Sequence, residues 1–109
     1  MDRLEAAKVT ANLLGLQHWV VNYGTHSAVL FRDATGSIQE WEPWHCNRQA
    51  YDLIEAFVSK LWFNDGMWHA EAGEASASDK LLRLAVTKAV YLHGKTKVLP
   101  QKTQKIHDR

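Results

Sequence analysis

The sequence predicts a small α+β domain with three helices and a mainly antiparallel sheet of three to four strands, arranged as a helix–sheet–helix sandwich. The alternative arrangement has two layers, with the helices on one side of the sheet. Three observations support this prediction. The chain has 109 residues, which suffices for one domain with one continuous core. Apolar residues make up 46% of it, an ordinary share for a globular protein. Segments with helical periodicity and segments with strand periodicity alternate along the chain and are joined by short turns.

The first predicted element is a helix over residues 3–14. Asp2 is a suitable N-cap, and Glu5 stands three positions further on, as in a capping box. Gly15 is a natural C-cap. Apolar residues at helical spacing give this helix one face to bury, and they are Leu4, Ala7, Ala11 and Leu14.

Three short strands are predicted next, over residues 18–22, 27–32 and 37–41. The first is rich in β-branched and aromatic residues, and the third alternates apolar and polar side chains. Residues 23–26 and 33–36 have the composition of turns, and Gly36 accepts a positive φ at no steric cost. The spacing therefore favours an antiparallel meander.

The second half of the sequence predicts two more helices with a strand between them. After an irregular segment at Pro43, a helix is expected from Asn47, its N-cap, to about residue 62. Residues 67–72 alternate as a strand, and residues 73–78 form a loop of small residues. Ser78 then caps a final helix that ends near residue 93 and is closed by Gly94.

The composition changes after Gly94. Residues 95–109 carry five basic residues and one acidic residue, a net charge of +4, whereas the preceding residues carry eight basic and eleven acidic residues, a net charge of −3. We therefore predict a domain over residues 1–94, followed over residues 95–109 by a basic segment that is either an extension or a partly disordered tail. The extension is either a solubilising terminus or a segment that contacts an anionic partner.

Several segments together resemble a known family. They are Leu13–Leu16 at the end of the first helix, the Trp-x-Pro element Trp41–Trp44, Asn47–Ala56, Trp68–Ala72 and Leu84–Val90. With these segments the chain is similar, over roughly residues 4–94, to the phage ABA sandwich domain proteins, which are small products of tailed-phage and prophage genomes. The resemblance implies a helix–sheet–helix sandwich and a phage origin, and it implies no chemistry. The chain departs from the pattern in its short segment after the central helix and in its basic extension.

The sequence predicts neither an enzyme nor a metal or cofactor site. Its six histidines form no HExxH arrangement, and its one cysteine, Cys46, excludes both an internal disulfide and a CxxC pair. A zinc site or a Cys–His nucleophile at Cys46 would need partners from distant segments. The carboxylate pairs Glu40 with Glu42 and Glu71 with Glu74 are typical of a solvated surface.

The five tryptophans are the unusual feature of the composition. Trp41, Trp44, Trp68 and Trp19 come from segments that are expected to be neighbours at the sheet. Three outcomes are open: the indoles pack in the core, they anchor another protein, or they stack on bases or a small planar ligand while Arg32, Arg48 and the lysines of the C-terminal extension reach phosphates. The candidate binding residues are Trp41, Pro43, Trp44, Arg48, Trp68, Lys95 and Lys97.

From these observations we expect a non-enzymatic binding module that engages a host or phage protein, for example a component of host defence. Two alternatives stay open: single-stranded nucleic-acid or nucleotide binding, and a structural homo-oligomer. The N-terminus has no signal-peptide character, and no apolar run is long enough to span a membrane. The expected compartment is the bacterial cytoplasm, with no membrane partner.

Overall fold

The structure, a computed structural model, describes the backbone of residues 1–107 and the side chains of residues 1–96. Over this part of the chain three helices and six strands follow one another. In chain order they are α1 (Arg3–Leu14), β1 (Gln17–Asn22), β2 (Ser27–Arg32), β3 (Ile38–Glu40), α2 (Asn47–Phe57), β4 (Val58–Asn64), β5 (Met67–Ala72), β6 (Ala75–Asp79) and α3 (Leu82–His107). The predicted α+β class, with three helices and antiparallel strands, is confirmed.

The strands are divided between two sheets, where a single sheet of three to four strands was expected. Sheet A has the order β1-β2-β3 and sheet B the order β4-β5-β6, and every pairing is antiparallel. Helix α1 packs on sheet A, helix α3 packs on sheet B, and the two helices pack against each other. Helix α2 contacts both of them. The helices therefore connect the sheets, and each sheet has one face turned to a helix.

The first helix has the predicted bounds and caps. Asp2 Oδ1 accepts hydrogen bonds from the backbone N–H groups of Leu4 and Glu5, at 3.0 and 3.2 Å. Gly15 closes the helix with φ +73°, and its N–H reaches the carbonyls of Ala11 and Asn12. Both ends therefore satisfy backbone groups that have no partner inside the helix.

The second predicted helix is correct only for its first two thirds, and its extension to residue 62 is wrong. Helix α2 ends at Phe57, and Val58 begins a strand that runs to Asn64. The reason lies in the turn that follows. Asp65 and Gly66 both have positive φ, +55° and +75°, and join β4 to β5 in a two-residue hairpin loop. Such a turn requires a strand on each side, which overrides the helical spacing of residues 58–62.

The predicted loop over residues 73–78 is also wrong in part, because residues 75–79 form strand β6. The two-residue loop Gly73-Glu74 folds β6 back onto β5, and Ala72 faces Ala75. Ser78 lies in this strand and does not cap the last helix. Asp79 accepts instead from the N–H of Leu81 at 3.0 Å.

Asp79 also forms an ion pair with Lys88 of helix α3, at 2.8 Å. The hydrogen bond from the Leu81 N–H, followed by the one from Lys88, holds the pKa of the Asp79 carboxyl below its usual value. This ion pair therefore links α3 to sheet B at neutral pH. The link is lost as the pH falls through the lowered pKa of Asp79.

The last helix does not end at Gly94, so the predicted stop is wrong. Helix α3 continues to His107, across the predicted boundary between the domain and its extension. Gly94 is buried at the contact with α1. A Cβ atom at this position would lie 2.5 Å from Val9 Cγ1 and 2.8 Å from Leu13 Cδ1. The glycine therefore permits close approach of two helices.

The core lies where sheet A, the helices and sheet B meet. Trp41 from the segment after β3 is its largest side chain and is 1% exposed. Small side chains fill much of the space between the helices and sheets, which allows short distances between them. The buried core includes Ala7, Ala11, Val29, Phe31, Trp41, Leu53, Ala70, Ala72, Ala85, Val86, Ala89 and Val90.

The close contact at Gly94 generates a stability prediction. Gly94→Ala should lower the free energy of unfolding by about 1 kcal/mol, because overpacking costs more than the helical propensity that alanine gains. Val9→Ala removes the atom nearest to the added Cβ. In that background Gly94→Ala should be neutral or stabilising, since Leu13 can rotate away. Chemical denaturation of the wild type, both single variants and the double variant measures this coupling.

Additive effects of Gly94→Ala and Val9→Ala would contradict the contact between α1 and α3 at this position. A stabilising effect of Gly94→Ala in the otherwise unchanged chain would do the same, because only helical propensity would then act.

Candidate functional site

Two of the candidate binding residues are buried. The ring of Trp41 packs edge-on against Phe31 with centroids 5.3 Å apart, and its indole N–H donates to Thr10 Oγ1 at 2.9 Å. Pro43 is also fully buried. For Trp41 the structure therefore shows the first of the three outcomes, packing in the core.

Trp44 and Trp68 are partly buried and pack against the core. Trp44 has the guanidinium of Arg3 5.7 Å from its ring centroid, and its carbonyl accepts from Arg83 Nε at 3.2 Å. Trp68 lies on β5 of sheet B, edge-on to Phe63 with centroids 5.3 Å apart. The expected cluster is thus divided, since Trp41 and Trp44 line one small cavity of about 60 Å³ beside β2, whereas Trp68 belongs to the other sheet.

The charged candidates occupy separate places. Arg48 is exposed on the first turn of α2 and lines an open cleft of about 580 Å³ together with Arg32. Lys95 is exposed on α3, with its Nζ 3.5 Å from Glu5 Oε2 and 5.3 Å from the ring centroid of Tyr91. Tyr91, and then Glu5, raise the pKa of Lys95. The side chain of Lys97 lies outside the described residues.

The cleft beside Arg48 is largely built from groups that already bond to each other. Asp33 Oδ1 accepts from the hydroxyl of Thr35 at 2.6 Å and from the N–H groups of Thr35 and Ser37 at 2.9 Å each. These bonds, the Thr35 hydroxyl first, lower the pKa of Asp33. Arg32 donates to the carbonyl of Gly36 at 3.2 Å. The wall of the cleft is therefore a hydrogen-bonded turn. The Asp33 carboxylate accepts the hydrogen bonds that stabilise this turn.

The face of sheet A that points away from α1 is apolar. Val29 and Phe31 lie on the face that Trp41 covers and are 1% and 7% exposed. Alternate residues of the strands point the other way, and the register places Trp19 opposite Leu30. We call this side the outer face of sheet A. Its apolar residues are Trp19, Val21, Ala28, Leu30 and Ile38, and its polar border is formed by Gln17, Arg32 and Glu40.

The four large apolar side chains of this face, those of Trp19, Val21, Leu30 and Ile38, belong neither to the core cluster nor to the residues packed against it, whereas Ala28 on the same face is buried. Ile38 is 51% exposed, and Trp19, Val21 and Leu30 are partly exposed. A partly exposed tryptophan within an apolar group and a polar border is typical of a contact surface.

The side of sheet B that faces away from α3 carries a different set of residues. Trp62 and His69 stack with centroids 5.1 Å apart and an angle of 16°, and Lys60 Nζ lies 4.8 Å from the Trp62 ring centroid. His69 Nε2 is 3.3 Å from the carbonyl of Asn64, and His69 Nδ1 is 2.7 Å from Ser78 Oγ. If Nε2 carries the proton, the hydroxyl of Ser78 donates to Nδ1. We call this side the outer face of sheet B.

Among the described side chains, those of residues 1–96, no three or more His, Cys, Asp or Glu residues come together as a metal site would require. Cys46 is partly buried at the N-cap of α2, and His45 beside it is exposed. No helix in this part of the chain combines the length and the apolar character that crossing a bilayer requires.

Comparison with known protein families, with characterised proteins and with solved structures found no match for this chain. The class that the fold defines is α+β, and the resemblance to phage ABA sandwich proteins stays a prediction.

None of the apolar residues of the outer face of sheet A is among the predicted binding residues, although Trp19 is one of the tryptophans expected to be neighbours at the sheet. Their signal in the sequence is the short turn Gly24-Thr25, since a two-residue loop sets the register of β1 and β2. That register brings Trp19 and Leu30 onto one face, opposite to Val29 and Phe31.

The hydrogen bond between Trp41 and Thr10 generates a second stability prediction. Thr10→Val keeps the shape of the side chain but leaves the buried indole N–H of Trp41 without its acceptor. Thr87→Val is the matched control, because Thr87 is equally buried in a helix and bonds only to the carbonyl of Arg83, four residues earlier. Thr10→Val should be the more destabilising by about 1–3 kcal/mol in chemical denaturation. Equal effects would show that the indole N–H gains nothing from Thr10.

Proposed function

We propose that the chain is a non-enzymatic binding module for another protein and that the outer face of sheet A is its contact surface. The observation that carries the proposal is the position of Trp19, which lies beside Leu30 on the face of sheet A opposite to the one that holds the buried Val29 and Phe31. Tryptophan is among the residues that contribute most binding energy at protein interfaces. A folded chain that leaves an apolar group open in this way gains stability when a partner covers it.

The border of the surface indicates the chemistry of the partner. Arg32 and Glu40 lie on the same face as Trp19 and carry opposite charges at neutral pH. A partner surface that suits this face has an apolar centre bordered by one acidic and one basic group. Border charges of this kind select the orientation of the partner more than they add affinity.

The biological setting of the proposal comes from the resemblance to phage ABA sandwich proteins. A small phage or prophage protein of this kind acts inside the bacterial host, where its partner is a host or phage protein such as a component of host defence. Neither a cofactor nor a metal has a role in the proposed activity.

Two tryptophans allow a matched test. Trp19 and Trp62 are both partly exposed and lie on the outer faces of sheets A and B respectively. Tagged protein is incubated with a lysate of the bacterium whose genome encodes it, and the affinity of any stoichiometric protein partner is then measured. Trp19→Ser should weaken this binding by roughly thirtyfold or more, as expected for the central residue of an interface, whereas Trp62→Ser should leave it unchanged.

Absence of a stoichiometric partner, or equal effects of the two substitutions, would contradict this function. Circular dichroism of both variants checks that they keep the fold.

A second candidate function, binding of single-stranded nucleic acid, is favoured by the outer face of sheet B. The stacked pair of Trp62 and His69, with Lys60 beside it, has the composition of a base-stacking platform. Glu71 lies on the same face, opposite Lys60, and the first 94 residues have a net negative charge. The acidic charge opposes phosphate binding, which places this candidate second.

The same pair of variants tests the second candidate. If the outer face of sheet B binds single-stranded nucleic acid, a fluorescent oligothymidine should bind the wild type with an affinity that falls steeply with salt concentration. Trp62→Ser should then weaken binding by roughly tenfold, and Trp19→Ser should not change it. No change in fluorescence anisotropy at low salt would eliminate nucleic-acid binding by this face.

A further inference from the structure

Strand β1 leaves one row of backbone groups unpaired along the edge of sheet A. The N–H of Tyr23 donates to the carbonyl of His26 at 2.8 Å across the turn, so these two residues form a hydrogen-bonded pair. Pairs of this type alternate along an antiparallel ladder, and therefore Val21 and Trp19 also bond to β2. The N–H and C=O groups of His18, Val20 and Asn22 consequently point away from the sheet, and no segment of the described chain pairs with them.

The edge formed by β1 has none of the features that prevent strand pairing. Its six residues include no lysine, no other charged side chain and no proline, and its pairing with β2 is regular. The other edges are better protected. Strand β3 has only three residues, β4 carries Lys60 beside an irregularity in its register, and β6 has five residues and ends at the charged Asp79, which is ion-paired with Lys88. Strand β1 is therefore the edge most suited to receive another strand.

Val20 is a further sign that this edge is incomplete. It lies opposite Val29 on the face of sheet A that packs on α1, yet it is 45% exposed while Val29 is 1% exposed. An additional strand beside β1 would continue this face and cover Val20. The exposure of an apolar residue on the otherwise buried side is thus explained by a missing neighbour.

A second copy of β1 fits this edge in one register. Antiparallel pairing around a two-fold axis at Val20 sets Val20 against Val20 of the second copy, and His18 against Asn22 of the second copy. These are the residues whose backbone groups point outward. The same register sets Trp19 against Val21 of the second copy on the outer face, an aromatic residue against a β-branched one, which is a favourable cross-strand pair. Because β1 contains no Lys, Arg, Asp or Glu, this pairing brings no like charges together.

We propose that two copies of the chain associate through antiparallel pairing of their β1 strands and form one continuous six-stranded sheet. The pairing joins the two outer faces of sheet A, so that Trp19, Val21 and Leu30 of both copies lie on a single apolar surface. The association itself does not depend on the proposed function. Its consequence, a contact surface of twice the size for the partner protein, rests on that function.

Val20→Pro tests the pairing directly. Proline removes the N–H of residue 20, which points outward and has no partner within the single chain, so the substitution is of the kind that edge strands accept. Val20→Thr is the matched control, because it keeps the N–H and the β-branched shape. The molar mass of the intact chain is measured by sedimentation equilibrium over a wide concentration range, and folding is checked by circular dichroism.

The wild type and Val20→Thr should show a monomer–dimer equilibrium, and Val20→Pro should raise the dissociation constant by roughly tenfold or more. Amide hydrogen exchange at high protein concentration should protect His18, Val20 and Asn22, and dilution should remove this protection. If Val20→Pro fails to fold, Val20→Lys gives a second test, since it places two like charges against each other at the two-fold axis.

Three results would overturn the proposal: a monomer at all concentrations, a dimer that neither Val20→Pro nor Val20→Lys weakens, and exchange protection that is confined to other strands. A monomer whose β1 amides become protected only when a host protein is added would show that the edge receives a strand from another protein. A dimer that captures no stoichiometric partner protein from the lysate would support the pairing and contradict only the proposed function.

Discussion

The close approach of helices α1 and α3 is the constraint on which the arrangement of the two sheets depends. Sheet A is attached to α1 and sheet B to α3, so the distance between these helices sets the position of one sheet relative to the other. At Gly94 the helices are so close that a single methyl group would overlap Val9 and Leu13. Glycine inside a helix costs about 0.5–1 kcal/mol relative to alanine. The contact that it permits must offset that cost.

This arrangement also explains why the molecule has two open sheet faces. Each three-stranded sheet meets the helices on one side, and antiparallel sheets commonly present the other side to solvent. A solvated face is expected to be polar. The outer face of sheet B meets this expectation with Ser76 and Ser78 of β6. The outer face of sheet A departs from that expectation with Trp19, Val21, Leu30 and Ile38. The departure gives a physical reason to look for function there, because internal packing does not account for these side chains.

The sequence was sufficient to predict the fold class and the elements whose ends carry a local signal. Helix α1 has such signals in Asp2 and Gly15, and both its bounds were predicted correctly. Residues 58–62 carry conflicting signals, since Val58, Leu61 and Trp62 fit a helical face as well as a strand. The positive φ of Asp65 and Gly66 decides between them through the hairpin, which is a constraint from outside the segment. Gly94 has the local signature of a helix stop, and its close approach to α1 is a tertiary contact that the local sequence does not reveal.

The candidate site was harder to predict because the position of a tryptophan depends on pairing register and not on its neighbours in sequence. Trp41 and Trp44 stand in one short element, yet Trp41 is 1% exposed and bonded to Thr10, whereas Trp44 lies at the margin of the core. Trp19 and Val20 are adjacent in β1 and point to opposite faces of sheet A. Neither is part of the buried core that holds α1 and α3 together. Substitutions at Trp19 and Val20 can therefore alter association through β1 and the outer face of sheet A without loss of the fold. Binding and folding thus depend on different residues, as a binding surface on a small domain requires.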